Sequence, residues 1–556
     1  MSVRIRQATV ADTSKWLALV RATLGEDHPS RHVYEQRWIA SQLDPSAGHE
    51  TWVADDDDRL LATLSVLNPP AATATPVANL GRNLFLADAH TNGAADELLG
   101  HVLERCSEKD QMTVARLPAS DNAQQALFER HGCVCVGFQP LKHLLKGREE
   151  VLFYVKPSLS RLRSRVHISE SLPQISELAA ASLANLKIPG TVGVRDGATG
   201  YPLVTEVTFH DGSGVEYAGA RKRAAASHPP AEISGGFNWG FGFMRVDTRE
   251  ALRETAYRAS RATGFSRVDA RHEPLTAIFA RRGAEAVGGL EYYFDEVDRC
   301  LRVVDGFGTD DLTMGALLNR ATQMAQEKFS AAYVEVDILT TAPRLLKSAE
   351  QLGFVPVAYL PAFFARETEH TDVVKMVKLN LVCTVEQASL TTHARAIVRI
   401  IENCLQDHKM GVALINLLRG LSFFNGLGDG ELRKVARLFT QKLARPGERV
   451  FAKGDSGDEA FVVMRGSVRI HLDEKAPPVA TVGQGGLFGE QAFLDSVPRA
   501  ATAISDQPSI LLVIKRTAFH ELTQREPNLG MLVMRNFALE LSRKLRKSTE
   551  AIGSGT

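Results

Sequence analysis

The chain has 556 residues, 44% of them hydrophobic and 23% charged, and its 65 basic and 65 acidic residues leave a formal net charge of zero. One hydrophobic core does not serve that length, so about three or four domains are expected. Balanced charge gives no global pull towards nucleic acid or an anionic membrane. The opening Met-Ser-Val-Arg-Ile-Arg-Gln lacks an apolar signal core and no run is long enough to span a bilayer, so a soluble, cytoplasmic chain is expected.

From the N-terminus, Val3–Arg6 reads as a strand and Thr9–Leu24 as a helix opened by small polar residues. Thr51–Ala54 and Leu60–Leu67, separated by an Asp-rich turn, read as a hairpin. Asn83–Ala87 is the next strand, followed by His90-Thr91-Asn92-Gly93-Ala94-Ala95 and an amphipathic helix from Asp96 to Cys106. A strand Met112–Leu117, a helix Asn122–His131 and strands Val134–Phe138 and Val151–Val155 complete residues 1–160. Cys133 and Cys135 fall on one face of a strand. With Cys106, Cys300, Cys383 and Cys404 scattered, packing thiols rather than a metal site are expected.

This order of elements resembles the GNAT acetyltransferase superfamily. The resemblance implies that Asn92, Gly93, Ala94 and Ala95 form the backbone cradle for the pyrophosphate of acetyl-CoA or another acyl-CoA. His90 stands where the family usually has Gln or Arg. Phe128 stands where it often has the tyrosine that protonates the departing thiolate, and a phenyl ring cannot act as a general acid. No catalytic residue is named on these grounds.

Residues 161–380 read as a second, degenerate copy with a long insertion. Val166–Ile168 is the expected opening strand, Leu172–Leu186 a helix, Leu275–Ala280 and Ala286–Phe294 a hairpin, and Leu301–Val304 a strand. Leu317–Phe329 is a helix, Ala332–Ile338 a strand, and Ala342–Phe354 echoes the first copy's helix that ends in Gly132. In the loop expected before Leu317, that leucine replaces the small residue a pyrophosphate needs. Within the insertion, Gly235–Met244 alternates glycine with aromatics, as a kinked buried strand would, or as the lining of an acceptor or pantetheine channel would. Of Tyr292 and Tyr293, one is expected to face the core and the other outward. Residues 381–420 form a helical connector, with Ala394, Ile397, Val398, Ile401, Leu405, Val412, Ile415 and Leu418 at helical spacing.

The most specific pattern lies in residues 421–556. Lys453-Gly454-Asp455-Ser456-Gly457-Asp458-Glu459-Ala460 turns into an apolar strand. Gly489-Glu490-Gln491-Ala492 is followed by Pro498-Arg499-Ala500-Ala501-Thr502. Glu490 can accept a hydrogen bond from a ribose hydroxyl, and Arg499 can clamp phosphate oxygens with its planar fork. These residues resemble the phosphate-binding cassette of cyclic nucleotide-binding domains of the catabolite activator and protein kinase A regulatory type. The resemblance implies a β jelly roll binding a cyclic nucleotide through Gly489, Glu490, Gln491, Ala492, Arg499, Ala500 and Ala501. Alanine rather than threonine after Arg499 favours cAMP. The C-terminal helix would then lid the base, with Phe537 or Leu541 against the adenine, or pair two subunits in a homodimer.

The expected fold is therefore multidomain α+β: two GNAT-like mixed α/β domains, a helical connector and a jelly-roll cyclic nucleotide-binding domain. The leading functional expectation is a cAMP-responsive acyltransferase, moving an acyl group from CoA to a small-molecule or protein amine acceptor. The alternative is a non-catalytic cAMP receptor or scaffold. A cAMP-activated transcription factor is disfavoured, because the chain ends about ten residues beyond the C-terminal helix, where such proteins place a helix-turn-helix.

Overall fold

The computed structural model describes residues 3–28, 31–45, 49–67, 77–144, 148–168, 170–195, 200–201, 207–217, 219–220, 275–296, 298–308, 311–366, 369–381, 389–495 and 497–553. The chain divides into two compact units, Met1–Cys404 and Leu405–Thr556. Gly235–Met244 and Cys383 lie outside the described residues.

In the first unit, β1 (Arg4–Gln7) leads through a 3-10 turn into α1 (Thr13–Leu24). Asp12 in that turn is buried and bonded to Arg6 and to the Thr9 backbone. Then follow α2 (Gln36–Leu43), β2 (Glu50–Asp55), β3 (Leu60–Leu67), β4 (Val77–Phe85), α3 (Ala87–Thr91) and α4 (Ala94–Glu108). Next come β5 (Met112–Pro118), α5 (Asn122–Arg130), β6 (Val134–Leu144) and β7 (Arg148–Lys156). The side chain of Asp121 starts α5 by accepting from the Gln124 N–H at 2.9 Å.

The chain continues through α6 (Leu159–Arg163), β8 (Glu170–Ser171), α7 (Pro173–Asn185), β9 (Gly193–Val194) and β10 (Thr208–Ser213). It then forms β11 (Thr276–Arg282), β12 (Glu285–Asp295), β13 (Cys300–Gly308), α8 (Asp311–Glu327), β14 (Tyr333–Leu339), α9 (Pro343–Gln351), β15 (Val355–Arg366) and β16 (Glu369–Leu379). Apart from β8 and β9, all these strands join one 14-stranded sheet in the order β1-β2-β3-β4-β5-β7-β6-β15-β16-β14-β13-β12-β11-β10. Read inward from either edge, the order is the same. In each half a single parallel pair, β4 with β5 or β13 with β14, interrupts an otherwise antiparallel set.

The halves meet where β6 pairs antiparallel with β15, Gly137 opposite Ala358. A Cβ on Gly137 would lie 2.3 Å from the Ala358 Cβ and 2.6 Å from the Val357 carbonyl oxygen, so this close approach requires glycine. Helix α7 packs over the seam. Asn185 Nδ2 donates to the Cys135 carbonyl at 3.0 Å and Ser182 Oγ to that of Val136 at 3.4 Å. A buried ionic chain crosses the seam: Lys142 on β6 pairs with Glu335 (3.0 Å) and Asp298 (3.2 Å), Arg302 bridges Glu335 and Asp337, and Lys375 reaches Asp337 at 2.6 Å. Mutual charge keeps Glu335 ionised against burial and holds its pKa well below the usual carboxylate range.

Several expectations need correction. Val166–Ile168 is not a strand; Val166 only donates its N–H to the His370 carbonyl. The edge place in the second half belongs instead to β10, from the insertion, paired along its length with β11. Helix α8 starts at Asp311, so the loop expected before Leu317 is two helical turns, and Leu317 is fully buried against the sheet. Ala87 opens α3 rather than closing a strand. Tyr292 and Tyr293 are both buried, at 1% and 7% exposure, because the sheet is covered on both faces. The thiols at 106, 133, 135, 300 and 404 are all buried and unbridged, and burial pushes Cys133 and Cys135 up to about 12.

One helix, α10 (Thr392–Arg419), contains the boundary between the units, and Ala394, Ile397, Val398, Ile401 and Leu418 are buried along it. The second unit continues with α11 (Asp429–Ala436), β17 (Phe439–Ala444), β18 (Arg449–Phe451), β19 (Glu459–Arg465), β20 (Val468–His471), β21 (Ala480–Val482) and β22 (Leu487–Phe488). The last elements are α12 (Glu490–Asp495), β23 (Thr502–Ser505), β24 (Ser509–Lys515), α13 (Arg516–Arg525) and α14 (Pro527–Gly553). Two four-stranded sheets, β17-β24-β19-β22 and β18-β23-β20-β21, enclose a core containing Phe461, Val463, Phe488 and Leu511. A second core joins the helices to the barrel through Phe423, Phe493, Phe519 and Phe537.

Candidate functional site

The site is built around Arg499, which is 4% exposed although it is an arginine in a short loop between α12 and β23. Its backbone is stitched to the turn after β18: Arg499 N–H donates to the Asp455 carbonyl and the Gly454 N–H donates to that of Arg499, both at 2.8 Å. Gly454 makes that turn at φ +89°. Nη1 donates to the carbonyls of Glu459 (2.8 Å) and Gly489 (2.9 Å). The guanidinium carbon lies 4.3 Å from the Phe451 ring centroid and 5.5 Å from that of Phe461.

Among the described residues no carboxylate pairs with this guanidinium. Burial lowers its pKa from the usual arginine value, and the more distant Glu459, Asp458 and Asp455 oppose that only in part. The Nε and Nη2 edge faces Gly457, where an added Cβ would stand 2.8 Å and 2.6 Å from those nitrogens. A cation held by two carbonyls and two aromatic faces, with one edge kept clear by a glycine, is poised for an external anion.

Glu490 is the first residue of α12, directly after the Gly489 carbonyl that Arg499 binds, and is 9% exposed. Gly489 has φ +76°, and a Cβ there would lie 2.8 Å from Arg499 Nη1, so glycine is required twice over. The fold thus brings Gly489, Glu490 and Arg499 together. Gln491 and Ala500 are exposed and Ala501 is half-buried. Ala492 faces the core beside Phe493, so its side chain points away from solvent. Thr502 Oγ1 accepts from the Lys453 N–H at 3.0 Å, closing the loop after Arg499. Phe451, Phe461 and Gly457 were not singled out from sequence as parts of the site. Gly457 lies in the glycine-rich turn already noted, but nothing in the sequence pairs two phenylalanines with an arginine about forty residues away.

Phe537 does not offer its ring to a ligand: it is 5% exposed and packs on Phe423 (5.0 Å) and Phe493 (6.1 Å). The Leu541 side chain is outside the described residues. On α14, Met531, Met534 and Leu539 are exposed at 69%, 46% and 48%.

In the first unit, Gly93 at φ +86° is the N-cap of α4, which begins at Ala94, two residues before the expected start at Asp96. Asn92 Oδ1 accepts the Ala94 N–H at 3.0 Å, and the Ala94 and Ala95 side chains are buried. The first turn carries Asp96 and Glu97. Asp96 is paired with Arg130 at 2.9 Å and with His131 at 3.3 Å. These carboxylates already complement the helix end, and one of its N–H groups is taken. Phe128 is fully buried, 6.4 Å from the Tyr154 ring, whose hydroxyl donates to Glu129 at 3.0 Å. Among the described residues no cluster of His, Cys, Asp and Glu could hold a metal, and no helix is long and apolar enough to cross a membrane.

Residues 441–526 match the cyclic nucleotide-binding domain family. The matched segment contains the whole Arg499 and Glu490 arrangement. The chain is 33% identical over 134 residues to the cyclic AMP receptor protein of Thermus thermophilus, covering 24% of this chain and 60% of that protein. It is 32% identical over 99 residues to a cAMP-dependent protein kinase regulatory subunit of Yarrowia lipolytica, covering 18% of this chain and 26% of that one. A solved cyclic nucleotide-binding domain from Methylobacillus flagellatus aligns at 24% identity and a TM-score of 0.25, over 27% of this chain and 85% of its own. The chain thus spans 60% and 26% of the length of these two curated relatives, and the family match lies in its C-terminal part.

Proposed function

We propose that this chain is a cAMP-binding regulatory protein. The reading is carried by one observation: a buried guanidinium, Arg499, keeps a clear edge and no paired carboxylate, beside a carboxylate, Glu490, that can accept from a ribose hydroxyl. The cyclic phosphate would sit on Arg499 Nε and Nη2, and the ribose 2′-hydroxyl would donate to Glu490. Exposed Ala500, where a threonine hydroxyl would suit guanine, supports cAMP over cGMP. Equilibrium binding of labelled cAMP to the full-length protein tests this. Micromolar or tighter retention that Arg499→Glu abolishes is expected, and equal retention by the variant overturns the reading.

For the first unit we infer two GNAT-type modules. The support is the strand order repeated in both halves and the single parallel pair in each. A cAMP-responsive acyltransferase using acyl-CoA and an amine acceptor is the activity such modules would supply. The non-catalytic receptor, with these modules as scaffold, is favoured by three features: the Ala94 N–H already bonded to Asn92, the acidic first turn of α4, and buried Phe128 in place of an acid. Calorimetric titration with acetyl-CoA separates the readings. Saturable heat supports the transferase, and none at millimolar ligand supports the scaffold.

A further inference from the structure

Strand β4 is bulged. Thr63 faces Leu84 and Ser65 faces Gly81, leaving Arg82 and Asn83 opposite Leu64, and Arg82 takes φ +54°. A left-handed arginine inside a strand is strained, and the surroundings must hold it there. Its guanidinium is buried, 4% exposed, with its carbon 5.6 Å from the Trp38 ring centroid. Its bonded partners are neutral: Gln42 Oε1 at 2.5 Å from Nη2 and His49 Nε2 at 2.9 Å from Nη1. Burial alone pushes its pKa down to about 10, with no neighbouring acid raising it.

The hydrogen bonding is also incomplete. His49 Nε2 stands 2.6 Å from the Gln42 carbonyl, which needs a donor, and 2.9 Å from Arg82 Nη1, which needs an acceptor. No single state of one nitrogen satisfies both. Arg82 Nε and the indole N–H of Trp38, whose ring lies against the guanidinium, are buried with no partner among the described residues. Two unused donors at a cation with no counter-charge among the described residues describe a place for an anion. His49, bonded to Arg82, is itself half-buried.

We propose that Arg82, Trp38 and His49 form a recognition site for a small organic carboxylate, bound in the plane of the guanidinium. One carboxylate oxygen takes Arg82 Nε and the other takes Nη2, the nitrogen on the same edge, which it shares with Gln42 Oε1. A flat, two-oxygen acceptor suits the fork better than a tetrahedral anion, and the surrounding indole favours a ligand with an apolar body.

The test is thermal unfolding of the full-length protein at constant ionic strength, with acetate, benzoate or succinate replacing chloride and inorganic phosphate as the tetrahedral comparison. At least one carboxylate is expected to raise Tm saturably in the wild type and in Arg499→Met, but not in Arg82→Met. Without ligand, Arg82→Met should unfold at or above the wild-type temperature, because it removes a buried uncompensated charge. The proposal is overturned if no carboxylate shifts the wild type, if phosphate alone does, or if Arg82→Met responds equally. Should Arg82→Met not fold, Arg82→Lys carries the decision. It keeps the charge and loses the fork, so the half-effect concentration should rise by about tenfold or more, and an unchanged value overturns the proposal.

Discussion

At the scale of single residues, the proposed site centres on a guanidinium buried with no carboxylate paired to it among the described residues. Arg499 is held by two carbonyls through Nη1 and flanked by Phe451 and Phe461, so its position does not depend on a ligand. Arg499→Lys should keep a charge yet lose the fork, weakening cAMP by about 1.5–3 kcal/mol, or roughly 10- to 150-fold in Kd. Gly457→Ala tests the clear edge of the site without replacing either charged residue. The new Cβ would stand 2.6 Å from Nη2, so cAMP affinity should fall while the denaturation midpoint moves little; unchanged affinity would show that the edge is not used. Arg499 and Glu490 were legible in sequence because their chemistry and spacing are specific. The aromatic clamp was not, since phenylalanine is also an ordinary core residue and only the barrel brings the two rings to the arginine.

At the scale of elements, β6 and β15 matter most, because their pairing makes two α/β halves into one sheet. Gly137→Val should place branched carbon atoms where Ala358 and the Val357 carbonyl already stand, and lower stability by about 1–3 kcal/mol or more. Urea unfolding measures this, and a midpoint equal to the wild type would show that the seam is not tight. The start of β16 gives a pH prediction. His370, whose Nδ1 lies 2.7 Å from Ser164 Oγ, has its pKa lowered to about 4, first by burial and then by Arg161. Its folded pKa lies below its unfolded value of about 6.5, so the unfolded chain binds the extra proton. The contribution is complete above pH 6.5 and is lost as pH falls towards about 4. His370→Gln should flatten the urea midpoint over that window, and an unaltered slope would count against this residue as the cause. At this scale the sequence showed strands and helices well but misplaced helix starts. Ala94 and Asp311 open their helices earlier than apolar periodicity suggests, because an N-terminal turn is defined by backbone bonding and caps rather than by a buried stripe.

At the scale of the whole molecule, a nucleotide site and any acyl-CoA site can communicate only through a difference in binding energy, and that coupling is reciprocal. If the chain is a regulated acyltransferase, saturating acetyl-CoA changes cAMP Kd by the same factor by which cAMP changes acetyl-CoA Kd. Two calorimetric titrations measure both factors. Equal cAMP affinity with and without acetyl-CoA removes the linkage and leaves the receptor reading. The sequence alone determined that the C-terminal part carries a nucleotide-binding chemistry, because Gly489, Glu490 and Arg499 occupy a short span in which local turns dictate proximity. It also showed the repeated run of α/β elements, because hydrophobic period and turn residues are local properties. Tertiary structure alone decided that β10 replaces the expected edge strand, that both Tyr292 and Tyr293 are buried, and that Lys142 crosses a seam to Glu335. It also left Arg82 as a buried cation among neutral partners. Each of these depends on which distant segments come to lie side by side, and burial and charge pairing arise only when they do.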